Sequence, residues 1–471
     1  MPSPIPRSKI VNWNETKHPL TRRGFLKTSV AMGGATLAAP MIVPASSLGG
    51  EGKAPPSERI TIGMIGLGRQ ARAYNLPWFL KSPDTQVIAL CDVDSWRLNN
   101  AVKTVREHHG PVSKPIASYR DFRELLADDA IDAVMISTPD HWHVPMAIAA
   151  IRQGKDVCCE KPITKSIGEG RRLVAEVARH QRVFRVDSEA RFKPSFCQAA
   201  EVVRNGRIGA LLRMEVGVPK DNESCGQPPE MPVPEELDYD FWLGPAAEAP
   251  YTVHRVHPPH DYSRGGWMRI RDYDDGMITN WGAHLIDIAH WGADLERTGP
   301  VHIAGHGRFP ANELWNAMQG FDIRYTYASG VTLNVKPAAD RATADHYTRF
   351  IGAEGWVEAG FGHIKASDPG VLQVPLGEDK IRLPRKDEKR DFIDCVKSRE
   401  QPVADAEVGH RTNSIGLLGV IAAQLGTPLT WDPARETFTS NDDANKLLER
   451  PLREPWTLLW DRETRSQCPS R

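Results

Sequence analysis

Arg59-Ile60-Thr61-Ile62-Gly63-Met64-Ile65-Gly66-Leu67-Gly68-Arg69-Gln70-Ala71 is the stretch on which the fold turns. Its first seven residues form a short apolar run with the character of a strand. The next six, Gly66 to Ala71, are a G-x-G-x-x-A turn that opens a helix. Gly66 permits the tight turn, Gly68 lets the backbone approach a pyrophosphate, and Ala71 is small enough for the helix to pack on the strand. With Arg69 and Gln70 at its start, that helix aims N–H groups and a positive dipole end at phosphate.

Working outward, a second apolar strand, Gln86 to Leu90, ends at Cys91-Asp92. Asp92 stands at the separation where a carboxylate accepts hydrogen bonds from the ribose of a dinucleotide. Its charge repels a ribose 2′-phosphate, so NAD is favoured over NADP. Asp94 or Ser95 is the better N-cap for the helix that follows. The alternation continues with a helix over Tyr119 to Ala127 and a strand over Ala133 to Ser137 that ends at Thr138-Pro139-Asp140-His141-Trp142-His143. A helix over Val144 to Gln153, a strand over Lys155 to Cys159, a helix over Gly168 to His180 and a strand over Arg182 to Val186 complete the series. Such alternation predicts a doubly wound parallel sheet of the Rossmann type, with ligands beyond the carboxyl ends of its strands. Gly68, Asp92, Thr138 and Lys161 all fall at those ends.

After Val186 the pattern changes. Strand-like runs at Leu211 to Val218, Val301 to Ala304, Gly320 to Tyr327, Val331 to Val335 and Trp356 to Glu358 have no helices alternating between them. They predict a C-terminal domain on a large, mainly antiparallel open sheet, so the fold class is α/β followed by α+β. Helical patterns return at Arg390 to Ser398 and Ser414 to Gln424. Domain limits are expected at 58–187 for the nucleotide-binding domain and 188–471 for the substrate-binding and oligomerisation domain.

Glu160-Lys161-Pro162 closes a strand end beside the expected nicotinamide site. Desolvation and like charge there would destabilise the Lys161 ammonium and fit it to polarise a substrate hydroxyl. Here the chain resembles the Gfo/Idh/MocA family, which includes glucose-fructose oxidoreductase and inositol dehydrogenase. The resemblance rests on Gly66-x-Gly68, Thr138-Pro139-Asp140-His141, Glu160-Lys161-Pro162 and Trp281-Gly282-Ala283-His284-Leu285-Ile286-Asp287. Gly409-His410-Arg411, Trp431-Asp432-Pro433 and the Arg450-Pro451 to Pro455-Trp456 stretch look like a secreted branch of it.

The resemblance implies an NAD(P)-dependent oxidoreductase acting on a sugar or polyol. It implies that Lys161 orients the reacting hydroxyl, that His284 is the acid/base, and that Thr138, Pro139 and His141 line the nicotinamide, next to Glu160. Many members carry Asp four residues before the histidine; here that residue is Asn280, which removes a carboxylate from any relay. Asp287, one helical turn beyond His284, either orients the imidazole or forms an ion pair. Arg191, His257, Trp267, Arg269 and Tyr273 join Asn280 and Asp287 as expected substrate-pocket residues, since imidazole and aromatic rings suit hydroxyl-rich ligands. His141-x-His143 and the richer set His254, His257 and His260 could suggest a metal. The latter lies in an aromatic and proline-rich loop, Tyr251 to Trp267, with no carboxylate at regular ligand spacing; sugar binding is the better reading there, and no metal is expected. In relatives the open sheet backs the active site and often forms an oligomer interface, which implies a dimer or tetramer. Two other readings are an NAD-dependent glycosidase working by transient oxidation and elimination, and a nucleotide-bound scaffold without turnover.

The chain ends and composition narrow the setting. Thr21-Arg22-Arg23-Gly24-Phe25-Leu26-Lys27 is a twin-arginine export pattern, followed by an uncharged run from Ser29 to Leu48 broken by Pro40 and Pro44. That run is too weakly apolar for a stable membrane span. A signal peptide over 1–45, a linker over 46–57 and a periplasmic or secreted location are expected. Net charge is −1, from 59 basic and 60 acidic residues over 471, which argues against nucleic-acid binding. Seven cysteines without a C-x-x-C pair argue against a disulfide scaffold or zinc module. Cys91, Cys158 and Cys159 are expected as buried hydrophobes.

Overall fold

The computed structural model describes residues 54–110, 115–221, 223–338, 346–375 and 377–458. The twin-arginine segment and its linker up to residue 53 lie outside the described residues. The described residues from Ser57 to Leu458 form one compact unit.

Its first layer is built from β1 (Ile60–Ile65), α1 (Leu76–Lys81), β2 (Thr85–Cys91), α2 (Ser95–His109), β3 (Ala117–Tyr119), α3 (Phe122–Leu126), β4 (Ala133–Ile136), α4 (His143–Arg152), β5 (Asp156–Cys159), α5 (Ile167–His180) and β6 (Phe184–Val186). The strands are parallel in the order β3-β2-β1-β4-β5-β6. Helices cover both faces, so β4 and β5 are buried at every residue and their sequences are continuous apolar runs, apart from Asp156 at the start of β5. Cys91, Cys158 and Cys159 are buried among them, as expected. Asp94 caps α2 by accepting from the backbone N–H of Trp96 and Arg97. The helix expected over Tyr119 to Ala127 divides: Tyr119 pairs with Cys91 as the end of edge strand β3, and Asp121 then caps a short α3. A three-residue edge strand is too short to show a period of two.

The second half comprises α6 (Pro194–Arg204), β7 (Leu211–Val218), α7 (Tyr239–Leu243), α8 (Met277–Asn280), α9 (Gly282–Ala293), β8 (His302–Arg308), β9 (Gln319–Thr326), β10 (Thr332–Pro337), β11 (Tyr347–Gly352), β12 (Trp356–Gly360), β13 (His363–Ala366), α10 (Glu388–Ser398), α11 (Ala406–Leu425), β14 (Leu429–Asp432), β15 (Thr437–Phe438) and α12 (Asp442–Lys446). Nine strands form a sheet in the order β13-β12-β11-β7-β10-β9-β8-β14-β15, antiparallel except for β7 with β10. Phe321, Ile323 and Tyr325 alternate along β9 and point into the core under α9 and α11, while Gly320 and Arg324 face out. This is the one-faced burial that distinguishes an antiparallel sheet from the first layer.

The chain then returns. Phe392, Ile393 and Val396 of α10 pack with Ile62, Met64 and Phe79, and Ala404, Val408 and Trp456 join Trp142 and Phe184. The division after residue 187 is therefore a change of sheet type, while the cores of the first layer are completed by residues from the far end. No helix among the described residues is long and apolar enough to cross a membrane.

Candidate active site

The carboxyl ends of the parallel strands open into a cleft with ≈ 1320 Å³ of space not filled by atoms. At its floor Gly66 has φ +83°, and a Cβ there would stand 2.7 Å from the Ser137 carbonyl carbon and oxygen. Only glycine allows β1 and β4 to end so close together. At Gly68 a Cβ would meet nothing within 4 Å, so this backbone faces open space. Leu67 N–H donates to Asp92 Oδ2 at 2.6 Å and Asp94 N–H to Oδ1 at 2.8 Å. Asp92 thus ties the turn to β2 while lining the cleft, and burial pushes its pKa up against these two donors. Thr138 Oγ1, also on the cleft wall, is buried with no hydrogen-bond partner among the described residues. An open glycine cradle, a carboxylate at the end of β2 and an orphaned hydroxyl at the end of β4 fit a dinucleotide.

A loop from the second half closes over the Asp92 end. His257 Nε2 lies 3.1 Å from Asp94 Oδ2 and 3.2 Å from Arg97 Nε, and Arg97 Nη2 donates to the Asp261 carbonyl at 2.7 Å. The Tyr262 ring lies 4.6 Å from the Arg72 guanidinium, 4.9 Å from that of Arg97 and 5.1 Å from the Trp96 ring. Further along, Arg264 enters the cleft wall, as does Arg69. Burial, with the like charges of Arg69 and Arg269, lowers the Arg264 pKa. A diphosphate between Arg69 and Arg264 would relieve that repulsion.

At the other end, Lys161 follows β5. Its Nζ donates to both the backbone oxygen and Oδ1 of Asn280, each at 3.3 Å. Asn280 Nδ2 donates in turn to Asp274 Oδ2 at 3.1 Å, and Thr279 Oγ1 donates to Asp274 Oδ1 at 2.7 Å. His284 stands one helical turn past Asn280. It is buried, its Nδ1 has no partner among the described residues, and its ring packs against Trp281 and Phe361. Burial first, then the charge of Lys161, drives its pKa well below the usual histidine value, so the imidazole is neutral at pH 7. Lys161 and Asn280 line the cleft, whereas His284 lies behind that wall.

Other expected residues divide clearly. Gly66, Gly68, Arg69, Gln70, Asp92, Thr138, Pro139, Glu160, His257 and Trp267 line the cleft with Lys161 and Asn280. His141 does not: its ring is fully buried against Tyr273, 4.9 Å away, and Trp242, whose carbonyl lies 3.2 Å from Nε2. Tyr273 is buried in the same aromatic cluster and takes a hydrogen bond from Arg255. Both support the wall instead of forming it. Arg191 and Asp287 form a bidentate ion pair at 2.7 Å for each bond, so Asp287 is an ion-pair partner and does not orient His284. Arg269 pairs with Asp221 and Glu223 and stacks on Trp315, outside the cleft. The reason is common to these five: each meets a complementary group brought by the fold from a distant segment, which spacing does not show. The histidines of the expected loop disperse, with His254 on Trp315, His257 on Asp94 and His260 on Glu236.

Sequence reasoning missed Arg97, Arg120, Phe241, Trp242 and Arg264 in the cleft wall. Arg264 sits in the aromatic loop already marked as a pocket candidate. The others carried no local signal. His143, the second histidine of the Thr138 to His143 stretch, braces two strand ends: Nδ1 is 2.7 Å from the Pro162 carbonyl and Nε2 2.9 Å from that of Thr138. Burial holds its pKa at about 4.

Two models of one oxidoreductase family match the chain: its NAD-binding Rossmann fold over residues 60–188 and its C-terminal alpha/beta domain over residues 223–458. Among curated proteins, a glycosyl hydrolase family 109 protein of Saccharopolyspora erythraea is 32% identical over 206 residues, covering 41% of this chain and 45% of that one. Inositol 2-dehydrogenase of Rubrobacter xylanophilus is 29% identical over 155 residues, 33% of this chain and 42% of that one. The chain thus spans less than half the length of these curated relatives. Among solved structures, aldose-aldose oxidoreductase from Caulobacter crescentus superposes with a TM-score of 0.58 at 16% identity, over 79% of this chain and 99% of that one. Myo-inositol 2-dehydrogenase from Lactobacillus plantarum gives 0.57 at 19%, over 79% and 99%. At such identities the likeness is one of fold.

Proposed function

The chain belongs to the Gfo/Idh/MocA oxidoreductase family, and on that premise we propose that it is an exported enzyme transferring a hydride between NAD and a sugar or polyol hydroxyl. The observation that carries this reading is the meeting of Lys161, from the nucleotide-binding half, with Asn280 of the other half in one cleft wall, one turn ahead of His284. Bound nicotinamide nucleotide supplies the hydride acceptor. Gly66, Gly68, Arg69, Gln70 and Thr138 would hold it, with Asp92 at the ribose favouring NAD over NADP. Lys161, fixed by two neutral oxygens, keeps a third N–H to hold the substrate oxygen. His284, neutral and buried, is the acceptor for the hydroxyl proton, reached past Asn280. Trp267, Phe241 and Trp242 give the cleft apolar faces suited to a sugar ring.

The twin-arginine pattern at Arg22-Arg23 would carry the folded protein to the periplasm or beyond, where nicotinamide nucleotides are not replenished. The loop carrying His257, Asp261, Tyr262 and Arg264 across the Asp92 end is what a retained cofactor needs. On this proposal a retained nucleotide would allow recycling in place, one polyol giving up a hydride and a second sugar or carbonyl compound accepting it. Assembly into a dimer or tetramer through the outer face of the nine-stranded sheet belongs to the same proposal. Mass spectrometry of nucleotide released on denaturing the purified protein, followed by a sugar screen read at the NADH absorbance, tests it. Protein purified without added nucleotide that holds none, and exchanges it freely, would sink the recycling.

A second reading is favoured by the 32% identity to a glycosyl hydrolase family 109 protein. The same Lys161 and His284 would serve transient oxidation, elimination of an aglycone and re-reduction. Free aglycone without net NADH would select this reading.

A further inference from the structure

Asn280 leaves Lys161 without the carboxylate partner that its position invites, yet two carboxyl groups lie close by, Asp274 behind the wall and Asp140 lining the cleft. Asp274 accepts from Asn280 Nδ2 and Thr279 Oγ1 and is 1% exposed. Asp140, from the loop after β4, is 3% exposed, and burial and the neighbouring Asp274 charge raise its proton affinity. A buried carboxyl beside Asp274 must avoid like charge, and one whose Oδ2 finds no donor among the described residues must avoid an unpaired charge. Both conditions are met if Asp140 carries a proton.

The surrounding charges agree. Lys161 reaches the pair from the end of β5, and Lys165, from the segment before α5, is paired with Asp275 beside Asp274. Arg271 approaches Asp275 at 3.8 Å from the solvent side. His143 and His284 are both held neutral by burial. Arg271 adds a third cation only on the solvent side of Asp275, so Lys161 and Lys165 leave one of the three buried carboxyls Asp140, Asp274 and Asp275 without a buried counter-charge unless it is neutral. Burial is the main force that raises the proton affinity of both Asp140 and Asp274, and Asp274 reaches a pKa of about 6.

We infer that Asp274, with Asp140 as its protonated partner, is the positioning residue for Lys161: it holds the one negative charge of the pair and, by accepting from Asn280 Nδ2, turns Asn280 Oδ1 onto the Lys161 ammonium. The carboxylate is displaced by one residue, and Asn280 is its neutral spacer. This deepens the proposed function, because it rests on Lys161 as the group that holds the substrate oxygen.

The test needs neither substrate nor nucleotide, so it can fail while the oxidoreductase reading stands. Reductive methylation with formaldehyde and dimethylamine–borane labels unprotonated amines, and peptide mass spectrometry compares Lys161 with exposed Lys103. At pH 8, Asp274→Asn is expected to speed Lys161 labelling about tenfold relative to Lys103, one unit of proton affinity. Asn280→Asp added to it should return the rate toward the parent. Asp140→Asn keeps a hydrogen toward Asp274 and is expected to change the rate by less than about twofold. Parental labelling in Asp274→Asn overturns the inference. So does an Asp140→Asn effect as large as that of Asp274→Asn, which would mean two charges in the pair. Should Asp274→Asn not fold, infrared difference spectra of the parent against Asp140→Asn decide. A protonated-carboxyl band at pH 7.5 that Asp140→Asn removes supports the shared proton, and its absence overturns it.

Discussion

Lys161 follows β5 and Arg191 follows β6, and both reach from the edge of the parallel sheet to the helix pair α8–α9. Arg191 finds Asp287 through two bonds of 2.7 Å, the Val403 carbonyl at 3.0 Å and Glu296 at 3.3 Å, and is 1% exposed. Lys161 finds two neutral oxygens at 3.3 Å and otherwise faces the cleft. A buried cation whose charge is met by two carboxylates and a carbonyl is closed to a ligand, whereas one held by weak neutral acceptors at a cleft wall keeps a donor for chemistry. From the sequence both residues looked like site candidates. Their partners separate them.

The largest expected break between the two is in turnover. Lys161→Ala should lower kcat by about 10²- to 10⁴-fold, the range for loss of a positioned acid–base group, while nucleotide still co-purifies. Measuring both on one preparation decides, because a Lys161→Ala enzyme at parental rate removes the mechanism. Arg191→Ala should act on the other axis. Leaving Asp287 buried and unpaired costs about 3–5 kcal/mol of stability, with turnover per folded molecule close to the parent's. Denaturant unfolding shows the first and active-site-normalised rates the second. Replacing Arg191 and Asp287 together by apolar residues should recover most of the loss.

Acid separates the regions again. Glu407 and Glu436 are partly buried, which opposes their charge, but Arg171 with Arg411 or His410 outweighs burial and holds both near a pKa of about 2. Their stabilisation is complete above the unfolded value of 4.5 and is lost as pH falls toward 2. Asp274 shifts the other way. Its folded form binds a proton at about 6 against 3.8 unfolded, so its contribution to stability rises as pH falls through that window. Protonation there removes the charge facing Lys161. Turnover should therefore fall between pH 7 and 5, with a midpoint near the Asp274 value of about 6. Melting temperature falls over the same range for a separate reason, because histidines kept neutral by burial, His143 with a pKa of about 4 among them, take up protons near 6.5 once unfolded. An Asp274→Asn variant whose turnover keeps the parent's fall between pH 7 and 5 contradicts this assignment.

The same contrast explains what the sequence made legible. The nucleotide turn could be read because its requirements are local: φ +83° at Gly66, a missing Cβ at Gly68 and a carboxylate closing the next strand all lie within 27 consecutive residues, from Gly66 to Asp92. The parallel strands were legible because burial on both faces leaves unbroken apolar runs. β11 and β13 were not, since their half-exposed residues, among them Arg349 and Lys365, hide the alternation. Arg191, Asp287, His141 and Tyr273 were misplaced because their partners lie far away in sequence, up to 132 residues between His141 and Tyr273. Lys161 and Asn280 line the cleft, positions suggested by family resemblance alone, and the carboxyl pair beside them was visible only once the fold brought Asp140 near Asp274.

The smallest expected effect concerns the loop over the Asp92 end. Tyr262 lies between the guanidinium groups of Arg72 and Arg97 at 4.6 and 4.9 Å, with Trp96 against its ring. Each cation–π contact at such a partly exposed place is worth about 0.5–1 kcal/mol. Tyr262→Ala should therefore leave the fold and Lys161 untouched but loosen the loop by one to two kcal/mol, roughly a five- to thirtyfold faster loss of nucleotide. Dilution of the nucleotide-loaded protein into a trap for free NADH, followed by fluorescence, reads that rate directly. Tyr262→Phe keeps the ring face and should stay near the parent, which separates the stacking from the hydroxyl. If Tyr262→Ala releases nucleotide no faster than the parent, the loop is a bystander and retention must come from the Gly66–Gly68 turn and the arginines Arg69 and Arg264 alone.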